Sequence, residues 1–486
     1  MDGVIFLALL APPVAGAAAG LVDRRHQTGA FWFNAVTLPV AFVAAAWAAD
    51  ALSSGRRPFE SGDLWRLDAL SALFAMLVSG VCTLAVWLGP RFRTSTDASR
   101  SSARTFCIFA NLFTATMLIA VSTSNLGVMW VAIEATTISS ALLIPLRRTG
   151  ASVEASWKYL LIGSVGIALA FTGTVLAFVD YSSTGASADL ALQWPALLAA
   201  APTLHPEVAR LAFVFLLVGF GTKAGLAPMH TWLPDAHAEA PSPLSAMMSG
   251  VLLAVALYAL ARWKAIIDLA AGTRFTDSLL IVVAVITIAL ASLSLLAQRD
   301  YKRLLAFSSI EHMGLACFGL ALGPIGVFAA LLHVTGHALA KSAAFLLSGR
   351  VLARYRTHEI AGTSGLLAAM PATGGLFAVA GLALAGLPPF GLFLSEVLLV
   401  RAGWIAGHPL LTGVVLICLL IAFGALVQQM QRLMFGPVPD GVTVGERVSG
   451  PVALLAVPLA GLAWLGVSLP ARAQLLIERA VEVLRP

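Results

Sequence analysis

The sequence predicts an all-α, polytopic membrane protein with about 14 transmembrane helices. Three observations support this fold class. Only 11% of the 486 residues are charged and 59% are hydrophobic, whereas a soluble domain has about 25% charged residues. Apolar runs of about 20 residues, the length of a helix that crosses a bilayer, recur along the whole chain. Two of these runs are interrupted by proline in similar words, which predicts two repeats with broken helices.

The composition also excludes several classes of protein. So few charges cannot cover a water-exposed surface, which excludes a soluble globular enzyme and a disordered chain. The net charge of +6 does not indicate nucleic-acid binding, because the basic residues stand singly or in pairs between apolar runs. The cysteines are isolated in apolar runs and predict no disulfide framework, metal site or redox centre; they are Cys82, Cys107, Cys317 and Cys418. We therefore expect no cofactor in this chain.

Fourteen apolar segments are long enough to span a membrane. They lie roughly at residues 3–21, 30–49, 68–89, 103–122, 126–146, 157–179, 208–226, 243–262, 278–297, 305–322, 327–349, 369–405, 409–431 and 450–468. The final stretch alternates apolar and charged residues at helical spacing and predicts a short surface helix. The expected division is 1–102 for the first three spans, 103–262 and 263–435 for two repeats, and 436–486 for the last span and the surface helix.

The loops predict the orientation of the chain. Lys and Arg residues are more numerous in the loops on one side, among them Arg24, Arg25, Arg91 and Arg93. The positive-inside rule places that side in the cytoplasm. This arrangement predicts a multi-pass protein with both termini on the outer side of the membrane.

The two interrupted spans contain similar sequence motifs. One reads Ala224-Gly225-Leu226-Ala227-Pro228 and the other Ala385-Gly386-Leu387-Pro388-Pro389. Proline breaks a helix, and a break at membrane depth is tolerated where it is buried in protein or lines a polar cavity. The matched pair therefore favours an ion pathway at the breaks over two unrelated proline kinks.

Ionisable residues inside apolar spans are functional candidates, because burying a charge in a membrane is costly. Glu134 lies near the middle of the fifth span and Lys223 just before the first break. An acid and a base in one repeat can take up and release a proton as they approach and separate. The alternatives are a permanently neutral structural Glu134 and a Lys223 that extends to the interface.

Further along the chain, His333, His337 and Lys341 are spaced i, i+4, i+8, which places them on one face of a helix. Histidine titrates near neutral pH and relays protons through its two nitrogens. The row predicts a proton half-channel; a zinc site and a structural hydrogen-bonded row are the alternatives.

Glu396 follows the second break and is either a pathway carboxylate or an interfacial one. Arg401 is its candidate counter-ion. His230 and His237 follow the first break and are secondary candidates, as a proton inlet or as an interface anchor.

At these residues the chain resembles the antiporter-like proton-conducting membrane subunits. That family includes membrane subunits of complex I, Mrp antiporters and energy-converting hydrogenases. The resemblance rests on four sequence segments, which are Lys223–His237, Asp300–Ile310, the His333/His337/Lys341 row and Gly386–Glu396. Within the family, Trp130–Leu146 and Glu154–Leu160 are most similar to hydrogenase-4 component F, and the second word contains Lys158, a further secondary candidate.

The resemblance implies a 14-helix subunit with two inverted five-helix repeats and a central polar axis through Glu134, Lys223, the His/Lys row and Glu396. It also implies partners, namely other membrane subunits and a peripheral redox arm that holds the cofactors. The expected function is proton translocation within a complex I-like or hydrogenase-4-type oxidoreductase. The alternatives are a Mrp-type cation/proton antiporter subunit, a membrane subunit of an inorganic-carbon uptake complex and a scaffold without transport.

One departure from the family concerns the eighth span. Many relatives have a Lys or His there, but Leu244–Ala261 contains neither, and its only hydroxyl groups belong to Ser245, Ser249 and Tyr258. We therefore expect the link between Lys223 and His333 to use water or to be weaker.

Overall fold

The fold is described by a computed structural model, which covers residues 2–22, 29–89, 100–185, 187–447 and 450–485. It is almost entirely helical, which confirms the predicted all-α membrane class. Arg24, Arg25, Arg91 and Arg93, which contribute to the predicted orientation, lie outside the described residues.

The N-terminal part is a three-helix bundle with a small hairpin. Its helices are α1 (Asp2–Val22), α2 (Gly29–Ser53) and α3 (Ala69–Leu88). Strands β1 (Phe59–Ser61) and β2 (Trp65–Leu67) pair antiparallel between α2 and α3.

The first repeat region follows. Its helices are α4 (Arg100–Ser122), α5 (Leu126–Ala141), α6 (Gly150–Ser183), α7 (Trp194–Ala200), α8 (Pro206–Ala224), α9 (Trp232–Glu239), α10 (Ser242–Met247) and α11 (Leu253–Ala271). A π-helical turn, Met248–Leu252, joins α10 to α11. Short 3-10 turns lie at Ile144–Arg147, Ala188–Leu190 and Ala201–Thr203.

The second repeat region and the C-terminal part complete the bundle. Their helices are α12 (Thr273–Leu296), α13 (Tyr301–Leu320), α14 (Gly323–Tyr355), α15 (Leu366–Ala369), α16 (Pro371–Leu384), α17 (Gly391–Ile405), α18 (Pro409–Met434), α19 (Gly450–Leu454), α20 (Ala456–Val467) and α21 (Ala471–Leu484). A 3-10 turn lies at Ile360–Gly362.

The number of spans stays a prediction. Among the described residues, 10 helices are long and apolar enough to cross a membrane, or 11 if the bent pair at the C-terminus counts as one span. The predicted spans at 208–226, 305–322 and 369–405 coincide with α8, α13 and the α16–α17 pair, which are shorter or more polar. The inverted repeats and the four-part division of the chain are likewise predictions, and α11 continues beyond the expected boundary at residue 262.

Both predicted breaks are present. Helix α8 ends at Ala224, and Gly225 follows with a φ of 78°. Helix α16 ends at Leu384, and Gly386 has a φ of 70°. Glycine adopts this left-handed conformation without the steric cost of a side chain, so each break is built around a glycine that ends the first half-helix.

The eighth span is the most buried of the spans. The described residues of Ser242–Ala271 are buried over the whole apolar window. Ser249 lies in its π-helical turn and shares a hydrogen bond of 2.7 Å with Ser309 of α13. A hydroxyl pair therefore joins this span to the second repeat region.

A buried ion pair fixes the start of α3 against α11. The guanidinium of Arg262 donates to both carboxylate oxygens of Asp68 at 2.6 and 2.7 Å and lies 4.4 Å from the ring of Trp194. Burial opposes the charged form of Asp68, but Arg262 outweighs this effect and holds the pKa of Asp68 below its usual value of 3.8. The pair is thus an ionised link between the N-terminal bundle and the first repeat region.

The C-terminal helix α21 turns by 79° from α20. It is amphipathic, and its buried face consists of Leu476, Ile477, Ala480 and Leu484. The helix packs against α2, α3, α11 and α14, so α21 lies across helices from three parts of the fold.

Candidate functional site

Glu134 lies on α5 and is half-buried. The side chain of Asn125 caps the start of this helix by accepting hydrogen bonds from two backbone N–H groups. The carboxylate of Glu134 accepts a hydrogen bond of 3.1 Å from Thr137 on the same helix and one of 2.8 Å from Ser164 on α6. Two hydroxyl donors therefore hold this carboxylate between α5 and α6.

Lys223 occupies the last turn of α8, directly before the first break, and is fully buried. Its ammonium group donates to the hydroxyl of Thr137 at 2.6 Å and to that of Tyr159 at 2.8 Å. No ion pair with Glu134 is present among the described side chains. The acid and the base predicted from the sequence are instead joined through the Thr137 hydroxyl, which accepts from Lys223 and donates to Glu134.

Aromatic and hydroxyl groups fix the position of Lys223. The phenol of Tyr159 shares a hydrogen bond of 2.8 Å with Ser140, and its ring lies 4.7 Å from the Lys223 nitrogen. Trp232, the first residue of α9, packs on Tyr159 and donates its indole N–H to the carbonyl of Thr222 at 3.0 Å. The two sides of the first break are thus held together around the lysine.

The His333/His337/Lys341 row is fully buried on α14, and the groups that it contacts lie mainly on α13. The ammonium of Lys341 donates to the carbonyl of Leu305 at 2.7 Å and to the hydroxyl of Ser308 at 2.9 Å. Like Lys223, Lys341 has neutral partners for its hydrogen bonds.

A histidine pair extends from the row. The ring nitrogens of His333 and His312 lie 3.0 Å apart, and the other nitrogen of His333 lies 2.9 Å from the hydroxyl of Ser395. Ser395 uses its only hydroxyl proton on the carbonyl of Leu392. In the neutral state His333 therefore donates from Nδ1 to Ser395 and accepts at Nε2 from His312 Nδ1.

Three ring nitrogens in and beside this pair are available for protons, one on His312 and two on His337. The Nε2 atom of His312 faces the carbonyl of Leu384 at the second break, without a hydrogen bond of normal geometry. His337, whose ring lies 5.3 Å from that of His312, has no hydrogen-bond partner for either nitrogen in the described part of the chain. The histidines thus form a connected group with unused proton sites.

Glu396 lies on α17 at the second break and is half-buried. Its carboxylate packs so closely against Gly386 that a Cβ atom at that position would overlap it. The side chain lines a cavity of about 300 Å³. Arg401 is exposed and forms no ion pair with Glu396 among the described side chains, so it is not the counter-ion.

Lys158, one of the secondary candidates, lies in a network of ion pairs. Lys158 is half-exposed and forms ion pairs with Glu154 at 2.7 Å and Asp235 at 3.2 Å. Asp235 also pairs with Arg303 at 2.5 Å, so this network joins α6, α9 and α13 away from the buried residues.

His230 and His237 are buried, and His237 stacks on Phe345 of α14 with its ring centroid 5.0 Å away. Neither ring nitrogen of His237 has a hydrogen-bond partner among the described residues, and the same holds for Nδ1 of His230.

Lys302 is a buried cation that the sequence analysis did not single out. Its ammonium group donates to the carbonyls of Ala238 and Ala240 at 2.8 and 2.6 Å. These carbonyls end α9, where the helix dipole favours a positive charge. Lys302 and Lys341 are the cations that act on His237, which therefore lies beside two lysines of the second region.

Glu311 and His312 were also missed. Both are buried on α13, directly after the sequence segment Asp300–Ile310. The criterion that identified Glu134, an ionisable residue inside an apolar span, applies equally to them.

The donor atoms permit one further arrangement. His312, His333 and Glu396 each offer a nitrogen or oxygen atom, and these atoms lie within 4.8 Å of one another. Distance alone would let the three side chains hold a metal ion. However, the facing nitrogens of the two histidines are hydrogen-bonded to each other, which suits proton relay. The four cysteines are free and buried at separate positions.

Comparison with known proteins agrees with the fold. Residues 123–422 match the family described as NADH:quinone oxidoreductase/Mrp antiporter, TM. The chain is 37% identical over 380 residues to a hydrogenase-4 component F homolog of Methylacidiphilum infernorum, a match that covers 77% of this chain and 80% of the relative. It is 32% identical over 395 residues to NADH-quinone oxidoreductase subunit N of Desulforudis audaxviator, covering 80% and 76%. The chain therefore belongs to this family of antiporter-like membrane subunits.

A solved structure extends the likeness to the whole chain. A chain of the membrane-bound sulfane sulfur reductase, an archaeal respiratory membrane complex, superposes with a TM-score of 0.89 at 25% identity. The match covers 99% of this chain and 98% of the other. The predicted family resemblance, with hydrogenase-4 component F among the relatives, is confirmed.

Proposed function

We propose that this chain is the proton-translocating membrane subunit of a complex I-like or hydrogenase-4-type oxidoreductase complex. The observation that carries the proposal is the pair of fully buried lysines, Lys223 and Lys341, each hydrogen-bonded to hydroxyl groups and near a titratable partner. A membrane protein keeps such costly residues where ions move. Family membership supports the same function.

In the first repeat region the proton moves between Glu134 and Lys223. Thr137 bridges them, so a proton transfer needs no large movement of either side chain. When Lys223 is charged it favours the ionised form of Glu134, and when Lys223 is neutral Glu134 is more readily protonated. The coupled pair thus alternates between two charge states.

In the second region the proton moves along Lys341, His337, His312 and His333 to Glu396. The two directly bonded histidines offer a donor and an acceptor in series. Uptake of a proton at one outer nitrogen and release from the other reverses the tautomers of both rings. Glu396 then exchanges the proton with the cavity at the second break.

His237 connects the two regions in place of a charged residue in the eighth span. It lies on α9, directly after the first break, and stacks on α14 next to Lys341. Its two unused nitrogens suit a relay between the Lys223 side and the His/Lys row. The hydroxyl pair Ser249–Ser309 supplies further polar groups across the eighth span.

The rest of the assembly follows from this role. Energy comes from electron transfer in a peripheral redox arm, and the chain works beside other membrane subunits, as the multi-subunit complexes that contain similar chains suggest. It holds no cofactor of its own. The complex lies in the inner membrane of a prokaryotic cell, with both termini of this chain on the outer side.

The test is turnover-linked proton translocation by the intact complex in sealed vesicles. Glu134→Gln and Lys223→Ala are each expected to abolish the pH change while the complex still co-purifies with its partner subunits. Arg210→Ala is the matched control, because Arg210 is a partly exposed residue on the same helix as Lys223 and pairs with the exposed Glu207. Full proton yield from Lys223→Ala would disprove the proposal.

A Mrp-type cation/proton antiporter subunit is the second candidate function. Two carboxylates, Glu311 and Glu396, line one cavity, and hard cations prefer oxygen ligands. An antiporter would show proton movement that depends on added Na⁺ without any electron donor. Proton movement that requires the electron donor and is indifferent to Na⁺ would exclude it.

A further inference from the structure

Glu311 is a buried acid near the middle of α13 with no role in the pathway described above. It is 2% exposed. Its Oε2 atom has no hydrogen-bond partner among the described residues. A buried carboxylate that lacks donors is costly when ionised. The position therefore favours a group that binds a proton.

Glu311 and Glu396 line the same cavity, whose volume of about 300 Å³ holds several water molecules. The other walls come from the end of α16, from α17 and from α18. Phe393 and Leu420 line it and are 40% and 65% exposed, so the cavity opens on the apolar outer surface between α17 and α18. Water in it meets two carboxyl groups that belong to different helices.

The charges around the cavity decide how many protons the two acids hold. Glu396 from α17 and Lys341 from α14 act on Glu311, and Cys418 faces it from α18. The other titratable neighbours are His312 on α13 with His333 and His337 on α14. Two carboxylates that share a site do not readily ionise together, and one lysine compensates one of them.

We propose that Glu311 and Glu396 form an acid pair that shares one proton and links the lateral cavity to the histidine pair. This inference rests on the proposed function, because it adds a residue to the same pathway. Glu396 is the member that reaches the histidines, since its carboxylate lies within 4.8 Å of nitrogens of His312 and His333. Glu311 is a positioning residue: its charge decides when Glu396 holds the proton.

Carbodiimide labelling tests the pair without requiring translocation. Dicyclohexylcarbodiimide enters the apolar phase and converts a protonated carboxyl group to a stable N-acylurea, which peptide mass spectrometry assigns to a residue. In the resting wild-type complex we expect at most one label on the acid pair, on Glu396 or Glu311. We also expect labelling to persist well above the usual glutamate range of about pH 4.

The variants define the role of Glu311. In Glu311→Gln the repulsion between the two carboxylates is absent, so Glu396 loses its proton more easily. Labelling of Glu396 should therefore end about one pH unit or more lower than in the wild type. Glu311→Asp should retain most of the wild-type profile. Glu207→Gln is the control, because Glu207 is exposed on α8 and should leave the profile unchanged. Identical profiles for Glu396 in the wild type and Glu311→Gln, or no label on either acid near neutral pH, would overturn the inference.

Proton translocation gives a separate readout. Glu311→Gln should lower the proton yield per turnover at neutral pH, with partial recovery in Glu311→Asp. If Lys223→Ala still translocates protons, the proposed function fails, yet the labelling shift can still be present. If Lys223→Ala is inactive and the labelling shift is absent, only the acid pair is disproved.

Discussion

The ammonium nitrogen of Lys223 lies 2.6 Å from the hydroxyl oxygen of Thr137. This contact replaces the direct ion pair that the sequence favours, because the same hydroxyl donates to Glu134. A hydroxyl group between an acid and a base can pass a proton from one to the other without a direct ion pair. It also makes Thr137 a residue whose side-chain oxygen is required.

Thr137→Val should therefore interrupt the first relay. Valine has the shape of threonine but no hydroxyl, so it removes the bridge with little change in packing. We expect a decrease of at least tenfold in turnover-linked proton translocation, measured as the pH change in sealed vesicles. Thr137→Ser retains an oxygen and should keep most of the activity. Equal proton yields from the valine and serine variants would show that the bridge is not used.

The histidine pair gives a second prediction. If His312 and His333 carry protons and hold no resident metal, chelators should leave translocation unchanged, and His333→Ala should slow it. Stoichiometric zinc in the purified complex that is lost in His333→Ala would contradict this expectation. Thr335→Ala is a useful control, because Thr335 lies on the same helix and donates its hydroxyl to the carbonyl of Leu331 in the same helix.

The buried pair Asp68–Arg262 should matter for stability. Asp68→Asn leaves a buried guanidinium without an anion, a loss of about 3–5 kcal/mol, whereas Glu207→Gln at an exposed pair should cost less than about 1 kcal/mol. Thermal unfolding of the detergent-solubilised protein measures both. If Asp68→Asn and Glu207→Gln have the same midpoint, the buried pair contributes no more than a surface one.

The pH dependence of that loss follows from the lowered pKa of Asp68. A carboxyl group whose folded-state pKa lies below 3.8 stabilises the fold above its unfolded pKa, and this stabilisation is lost as the pH falls through the folded value. The difference between wild type and Asp68→Asn should therefore be constant from about pH 6 to 8. A difference that decreases across this range would indicate another titrating group.

The sequence predicted the membrane fold and most of the site, because ionisable residues are conspicuous in apolar runs. Glu134, Lys223 and Glu396 could be identified in this way, and helical spacing placed His333, His337 and Lys341 on one face. Such reasoning concerns one helix at a time. It recognises a costly residue but not the neighbour that compensates it.

The remaining features depend on contacts between helices. Thr137 and Tyr159 are ordinary residues in sequence, and they become important only because α5 and α6 place them against α8. Ser395 orients His333 from another helix in the same way. Glu311 is different, since its charge inside a span was visible in the sequence.

The packing of the C-terminal helix α21 has a consequence for the movements that the protein can make. The helix contacts α2 and α3 of the N-terminal bundle, α11 of the first region and α14 of the second region, so it holds these parts of the fold together. A rocking motion of the N-terminal bundle against the second region would separate Leu476 and Ile477 from the side chains on which they pack. We therefore expect the free energy of each transport cycle to be stored as displaced charge rather than as a bent backbone. The resting and working states should differ in side-chain positions and not in the arrangement of the helices.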